Sequence, residues 1–90
     1  MRKNCRWTFD AWRAGRSLKP AESIWTDGTT VYSYQTAIAV TLPSGVILNR
    51  TPYSVTTTTH QNGLAVGLEE EGTTFLVVEN VPIGTMSLTE

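Results

Sequence analysis

The chain has 90 residues, 40% of them hydrophobic and 17% charged, with a net charge of −1 and a single cysteine. That is enough for one small domain and excludes two domains, an internal disulfide and, with no apolar run of about 18 residues, a spanning helix. Charge is lopsided: residues 1–19 hold Arg2, Lys3, Arg6, Arg13, Arg16 and Lys19 against Asp10, whereas residues 20–90 hold Arg50 against seven acids.

The basic start runs into Trp7-Thr8-Phe9-Asp10 rather than an apolar stretch. No secretory signal is therefore expected, and the predicted compartment is the cytoplasm. Cys5 reads as a small, partly buried residue rather than a reactive thiol. Within the basic segment, 1–19, a short helix is predicted from Thr8 to Gly15. Thr8 suits the N-cap, Asp10 the positive end of the dipole, and Gly15 the left-handed exit. Phe9, Trp12 and Arg13 share one face, and so short a helix has to pack on something.

A β-meander is predicted over 23–51. Ser23 to Thr26 reads as a strand, and Asp27-Gly28 as a type I′ hairpin turn. From Thr29 to Leu42 residues alternate in one strand. Tyr32, Tyr34, Thr36, Ile38, Val40 and Leu42 form the expected core face, with the small residues Ala37 and Ala39 among those facing a covering helix. Pro43-Ser44-Gly45 turns the chain into a returning strand, Val46 to Arg50, which Pro52 ends. Asn49-Arg50-Thr51 matches a glycosylation acceptor by accident, given no signal.

Over 58–71 a helix is expected, because Thr58 and Gln61 fit a capping box and Leu64, Ala65 and Leu68 line one face. Leu64, Val66 and Leu68 also alternate, which keeps a strand open. Gly63 and Gly67 weaken the helix, and three glutamates at its end oppose the dipole. Residues 73–80 read as a buried strand, and Thr85 to Glu90 as an edge strand or tail. The fold expected is α+β: a twisted antiparallel sheet of about four strands, with one helix packed on it and a short N-terminal helix.

One histidine with scattered acids supplies no metal site. No phosphate loop or nucleophile elbow is present, so neither a cofactor nor a catalytic set is expected. Abundant hydroxyls leave no spacing that selects a nucleophile for His60. The hydroxyl and aromatic stretch around Tyr53, Ser54, Thr57, His60 and Gln61, with Tyr32 and Tyr34 upstream, is the candidate binding surface. The tyrosines either fill the core or form an exposed stacking platform. A helix start rich in hydroxyls can hold an anion such as phosphate. Arg2, Lys3, Arg6, Arg13 and Arg16 either contact nucleic acid or dock on the chain's own acidic body.

Tyr32-Ser-Tyr34, Ile38-Ala39, Leu48-Asn49 and Tyr53-Ser54 with Thr56-Thr57 and His60 resemble a small domain of unknown function found in short proteins of bacteriophages, bacteria and archaea. The similarity spans about Trp25 to Gln61. The chain departs from that pattern at Gln35, where glycine is expected, and in a shorter link between the central strands. The resemblance implies a phage or prophage accessory protein and transfers no activity. The expected function is a non-catalytic module that binds a host or viral macromolecule in the host cytoplasm, with a homodimer possible and no membrane contact. The alternatives are nucleic-acid binding by the basic segment and a small hydrolase or nucleotide-processing enzyme using His60.

Overall fold

The structure, a computed structural model, describes residues 1–89. Its order is α1 (Lys3–Arg13), β1 (Trp25–Thr26), β2 (Thr30–Ser33), β3 (Thr36–Leu42), β4 (Gly45–Asn49), α2 (Val55–Glu70) and β5 (Phe75–Val78). The strands form one five-stranded sheet in the order β1-β2-β3-β4-β5. The α+β class stands, with five strands rather than four. The first four strands pair antiparallel, whereas β5 joins β4 in parallel, Val46 opposite Phe75 and Asn49 opposite Val78. A parallel neighbour needs a long crossover, and α2 provides it.

The stretch Thr29 to Leu42 is two strands rather than one. Ser33 pairs with Thr36, and Tyr34-Gln35 makes a two-residue turn in which Tyr34 has φ 55°. Such a turn usually carries glycine or asparagine, so the residues gave no warning of it. A second irregularity breaks the alternation. Val31 lies opposite Ala39 but Tyr32 opposite Ala37, leaving Ile38 as the extra residue of a bulge. Ile38 and Ala39 are consequently both buried and both in the core, which one regular strand does not permit. The Asp27-Gly28 turn is not type I′ either, since Asp27 keeps a negative φ. Its carboxylate instead accepts from the N–H groups of Thr29 (2.9 Å) and Thr30 (2.8 Å).

Both helices contribute to one core. Cys5, Phe9 and Trp12 of α1 meet Leu64 and Leu68 of α2 over Val31, Ile38, Ala39, Val46 and Leu48. α1 begins five residues before the predicted start, so Thr8 is buried inside it, and its hydroxyl has no partner. The ends match better. Gly15 (φ 73°) and Gly72 (φ 75°) close the two helices with the paired bonds of the Schellman motif: Arg16 N–H to Ala11 O (2.8 Å) and Thr73 N–H to Leu68 O (2.9 Å).

Gly63 and Gly67 sit where α2 meets α1. A Cβ on Gly67 would lie 2.8 Å from the Phe9 ring, and one on Gly63 3.1 Å from Cys5 Sγ. The glycines trade helix propensity for a close helix–helix contact. Two of the three glutamates that oppose the dipole have partners, since Glu71 pairs with Arg13 at 2.6 Å and Glu70 with Arg6 at 4.0 Å. β5 is not buried as predicted: Leu76 is 72% exposed and Val77 53%. No strand forms over 85–89, although Thr85 O accepts from Ala37 N–H at 2.7 Å; Glu90 lies outside the described residues.

Candidate functional site

The β2–β3 turn, the start of α2 and the segment at Ile83-Gly84 enclose a cleft of about 550 Å³. Its walls include Tyr34, Tyr53, Ser54, Thr57 and Ile83. The turn is held from below, where Trp25 Nε1 donates to Tyr34 O (2.8 Å) and Tyr34 N–H donates to Glu22 O (3.1 Å). Those bonds fix a left-handed tyrosine whose ring is 49% exposed. A non-glycine residue in that region carries strain of roughly 1–3 kcal/mol, which persists only where the surroundings impose it.

Asn49 ties the opposite wall together. Fully buried at the end of β4, its Nδ2 donates to Ala37 O (3.0 Å) and to the Tyr53 hydroxyl (3.0 Å), while its Oδ1 accepts from Thr51 N–H (2.9 Å). Tyr53 passes the chain on by donating to Val81 O at 2.6 Å. Gly84 N–H then donates to Thr36 Oγ1 at 2.8 Å, which places Ile83, 79% exposed, across from Tyr34.

Beneath the cleft lies a hydroxyl and imidazole cluster. Ser54, not Thr58, caps α2: its Oγ accepts from Thr57 N–H at 3.2 Å, so the helix begins three residues earlier than predicted. Thr57 Oγ1 lies 2.9 Å from Ser33 Oγ, which in turn lies 3.5 Å from His60 Nδ1. All three are buried. Burial, and secondarily the Arg2 charge, hold the His60 imidazole below its ordinary pKa of 6.5. Burial pushes the Cys5 thiol up to about 11, which keeps it protonated. Among the described residues no carboxylate hydrogen-bonds the imidazole, and Ser33, though only 2% exposed, contributes to the lining of the cleft. The cluster joins the floor of the cleft, through Thr57 and Ser33, to the His60 ring.

The predicted surface residues therefore separate. Tyr34, Tyr53, Ser54 and Thr57 line one cleft, while His60 opens onto a different pocket beside the start of α1. Tyr32 is not an exposed platform. It is buried, stacked on Trp25 with ring centroids 4.2 Å apart, and its hydroxyl donates to Asp27 Oδ2 at 3.3 Å. Gln61 does not reach back to a cap; its Nε2 donates to Asn49 O (2.8 Å) and Thr51 O (2.9 Å), pinning the β4–α2 loop. Sequence reasoning missed Ile83 and Asn49. Ile83 carries no local signal, whereas a polar residue ending an apolar strand, as Asn49 does, marks a buried hydrogen-bonding hub.

The basic segment docks largely on its own body. Arg6 pairs with Asp10 and Glu70, Arg13 with Glu71, and Lys3 lies over Trp7. Arg2 and Arg16 are exposed without a carboxylate partner among the described residues.

Residues 12–74 match the model of a family described as a family of unknown function, DUF8033. No curated protein and no solved structure matches the chain.

Proposed function

The chain belongs to the family of unknown function DUF8033, and on that footing we propose that it is a non-catalytic binding module whose Tyr34–Tyr53–Ile83 cleft takes up a segment of a host or viral protein. The carrying observation is Tyr34, a half-exposed aromatic ring held in a strained left-handed turn opposite an exposed isoleucine. Strain and exposed apolar surface at one place are what a recognition site keeps and a folding core does not need. The resemblance to short phage proteins supports a phage or prophage accessory protein acting in the host cytoplasm.

The test separates strain from recognition. Replacing Tyr34 by Asn suits the left-handed turn better and is expected to raise stability by about 0.5–1 kcal/mol, with a higher thermal midpoint. The same variant, and Ile83→Asp, should fail to retain the host or phage protein that immobilised wild type captures and that then binds in purified form. Equal retention by all three proteins, or no retention by wild type, sinks the reading.

A second reading concerns self-association, and β5 favours it. The β1 edge is closed by the 16–22 connector, where Leu18 and Thr26 exchange backbone hydrogen bonds at 3.0 and 2.9 Å. The β5 edge is open, apolar and uncharged over Phe75–Val78, the kind of edge that pairs with another strand. Nucleic-acid binding draws less support, because Arg6 and Arg13 are engaged by Glu70 and Glu71.

A further inference from the structure

We infer that the tyrosine cleft, read above as a protein-binding site, takes its partner as an extended, uncharged, proline-containing segment in the polyproline II conformation; the inference rests on that reading. The chain itself displays this mode of recognition at the edge of the cleft. Pro82 fixes its own φ and biases Val81 toward an extended backbone. The Tyr53 hydroxyl donates to Val81 O at 2.6 Å, and Val81 N–H donates to Thr51 Oγ1 at 3.0 Å. A tyrosine hydroxyl thus holds the carbonyl that precedes a proline, and the same Tyr53 lines the cleft.

Protein segments are recognised in a few recurring ways, and the walls of the cleft select among them. Strand addition needs an open sheet edge, but here Thr36 pairs with Ser33, and Ala37 N–H is taken by Thr85 O at 2.7 Å. Phosphorylated or acidic segments need arginines, and no charged residue is among those lining the cleft. A helix brings an apolar stripe and no free backbone groups, whereas five of the ten lining residues are serine or threonine.

A polyproline II segment suits both halves of this lining. It makes no internal hydrogen bonds, so its carbonyls seek donors, while its prolines present apolar rings and no N–H. The apolar half is Tyr34, Tyr53 and Ile83. The donor half is Tyr34, Gln35 and Thr56, whose side chains make no hydrogen bond among the described residues. Trp25 Nε1 and Glu22 O hold the Tyr34 backbone before any ligand arrives, so binding orders little of the turn. The segment is itself stiff for the same reason that proline is, which lowers the ordering cost on the other side.

The experiment is an amide NMR titration of the full chain with an end-capped peptide of repeated Gln-Val-Pro. The same peptide with alanine for every proline is the control, and maltohexaose, a neutral ligand of hydroxyl and aromatic clefts, is a third arm. Saturable shifts are expected at the Tyr34, Gln35, Thr56 and Ile83 amides, with the prolyl peptide bound about fivefold or more tighter than the alanyl one. Salt should change that affinity by less than about twofold, since no charge takes part. Ile83→Asp should weaken binding about tenfold or more by placing a charge in an apolar contact. Tyr34→Phe keeps the ring and the turn but loses one donor, and should weaken it about threefold; an otherwise unchanged amide spectrum shows that each variant has folded. Equal binding of the two peptides, saturation by maltohexaose in place of the prolyl peptide, shifts centred on β5, or unchanged affinity in both variants overturns the inference. Retention of a host or phage protein through Tyr34 and Ile83, together with no preference for proline, removes the proline chemistry and leaves the binding site. A bound prolyl peptide with no retained protein upholds that chemistry and removes the proposed partner.

Discussion

His60 illustrates how a side chain's neighbours decide its chemistry. Buried against Ser33 and close to Arg2, it is held neutral in the folded protein, with a pKa below the 6.5 it has when unfolded. The sign follows directly. Below pH 6.5 the unfolded chain takes up a proton that the folded chain refuses, so stability is full above that pH. It is lost as pH falls through the window between 6.5 and the lower folded value. The slope there reaches at most about 1.4 kcal/mol per pH unit for one group. Thermal unfolding between pH 7.5 and 5 in phosphate-free buffer should show this loss, and His60→Gln should flatten it; equal pH dependence in both proteins rules His60 out as the cause. Little of this was legible beforehand. The sequence marks His60 as the only histidine, but whether it meets solvent, hydroxyls or an acid depends on Ser33 and Arg2, which approach it only after folding. Asn49 is the opposite case: a polar residue among Val46, Ile47 and Leu48 can be buried only if it is hydrogen-bonded, and its three bonds meet that demand.

Elements were readable where periodicity and local chemistry agree. The Schellman ends at Gly15 and Gly72, and the Pro43-Ser44-Gly45 turn between β3 and β4, follow from residues within a few positions of each other. The strand count failed where the deciding contact was distant or the turn chemistry unusual. Tyr34-Gln35 reverses the chain without glycine because Trp25 and Glu22 hold the Tyr34 backbone from outside the turn. The same logic explains α2. Its glycines look like helix weaknesses until α1 is placed against them. Gly67→Ala gains about 1 kcal/mol of helix propensity but drives a methyl to 2.8 Å from a Phe9 ring that is buried and packed edge-on against Trp12. Because that ring is only 5% exposed and its shift would disturb the Trp12 contact, overpacking outweighs propensity, and a net loss of about 1–2 kcal/mol is expected in chemical denaturation. Gly63→Ala meets the Cys5 sulfur and the flexible Met1 side chain at 3.1 and 3.2 Å, so it should cost less. If Gly67→Ala is stabilising, the helices do not pack this closely.

At the scale of the whole molecule, the two sheet edges are treated differently. One ends in β1, only two residues long and bridged by Leu18. The other ends in β5, where Leu76 and Val77 expose apolar side chains beside an unpaired row of backbone groups. A second copy suits this edge better than an unrelated strand. A two-fold axis through β5 sets the strand antiparallel to itself, every contact is made twice, and the sheet continues to ten strands without a charged side chain in the seam. The charges that would oppose such pairing, Glu69 to Glu71, lie at the end of α2 rather than in the strand, and two of them are bound to α1. Sedimentation velocity over a range of concentrations should therefore show a monomer–dimer equilibrium. Leu76→Lys places on the edge the kind of charge that natural sheets use to prevent pairing, and should weaken the dimer about tenfold or more. Its thermal midpoint, extrapolated to dilute protein, should stay within a few degrees of wild type, because the side chain it replaces is 72% exposed. A wild type that stays monomeric at every concentration, or a Leu76→Lys protein that dimerises as well as wild type, means that β5 is not the dimer seam.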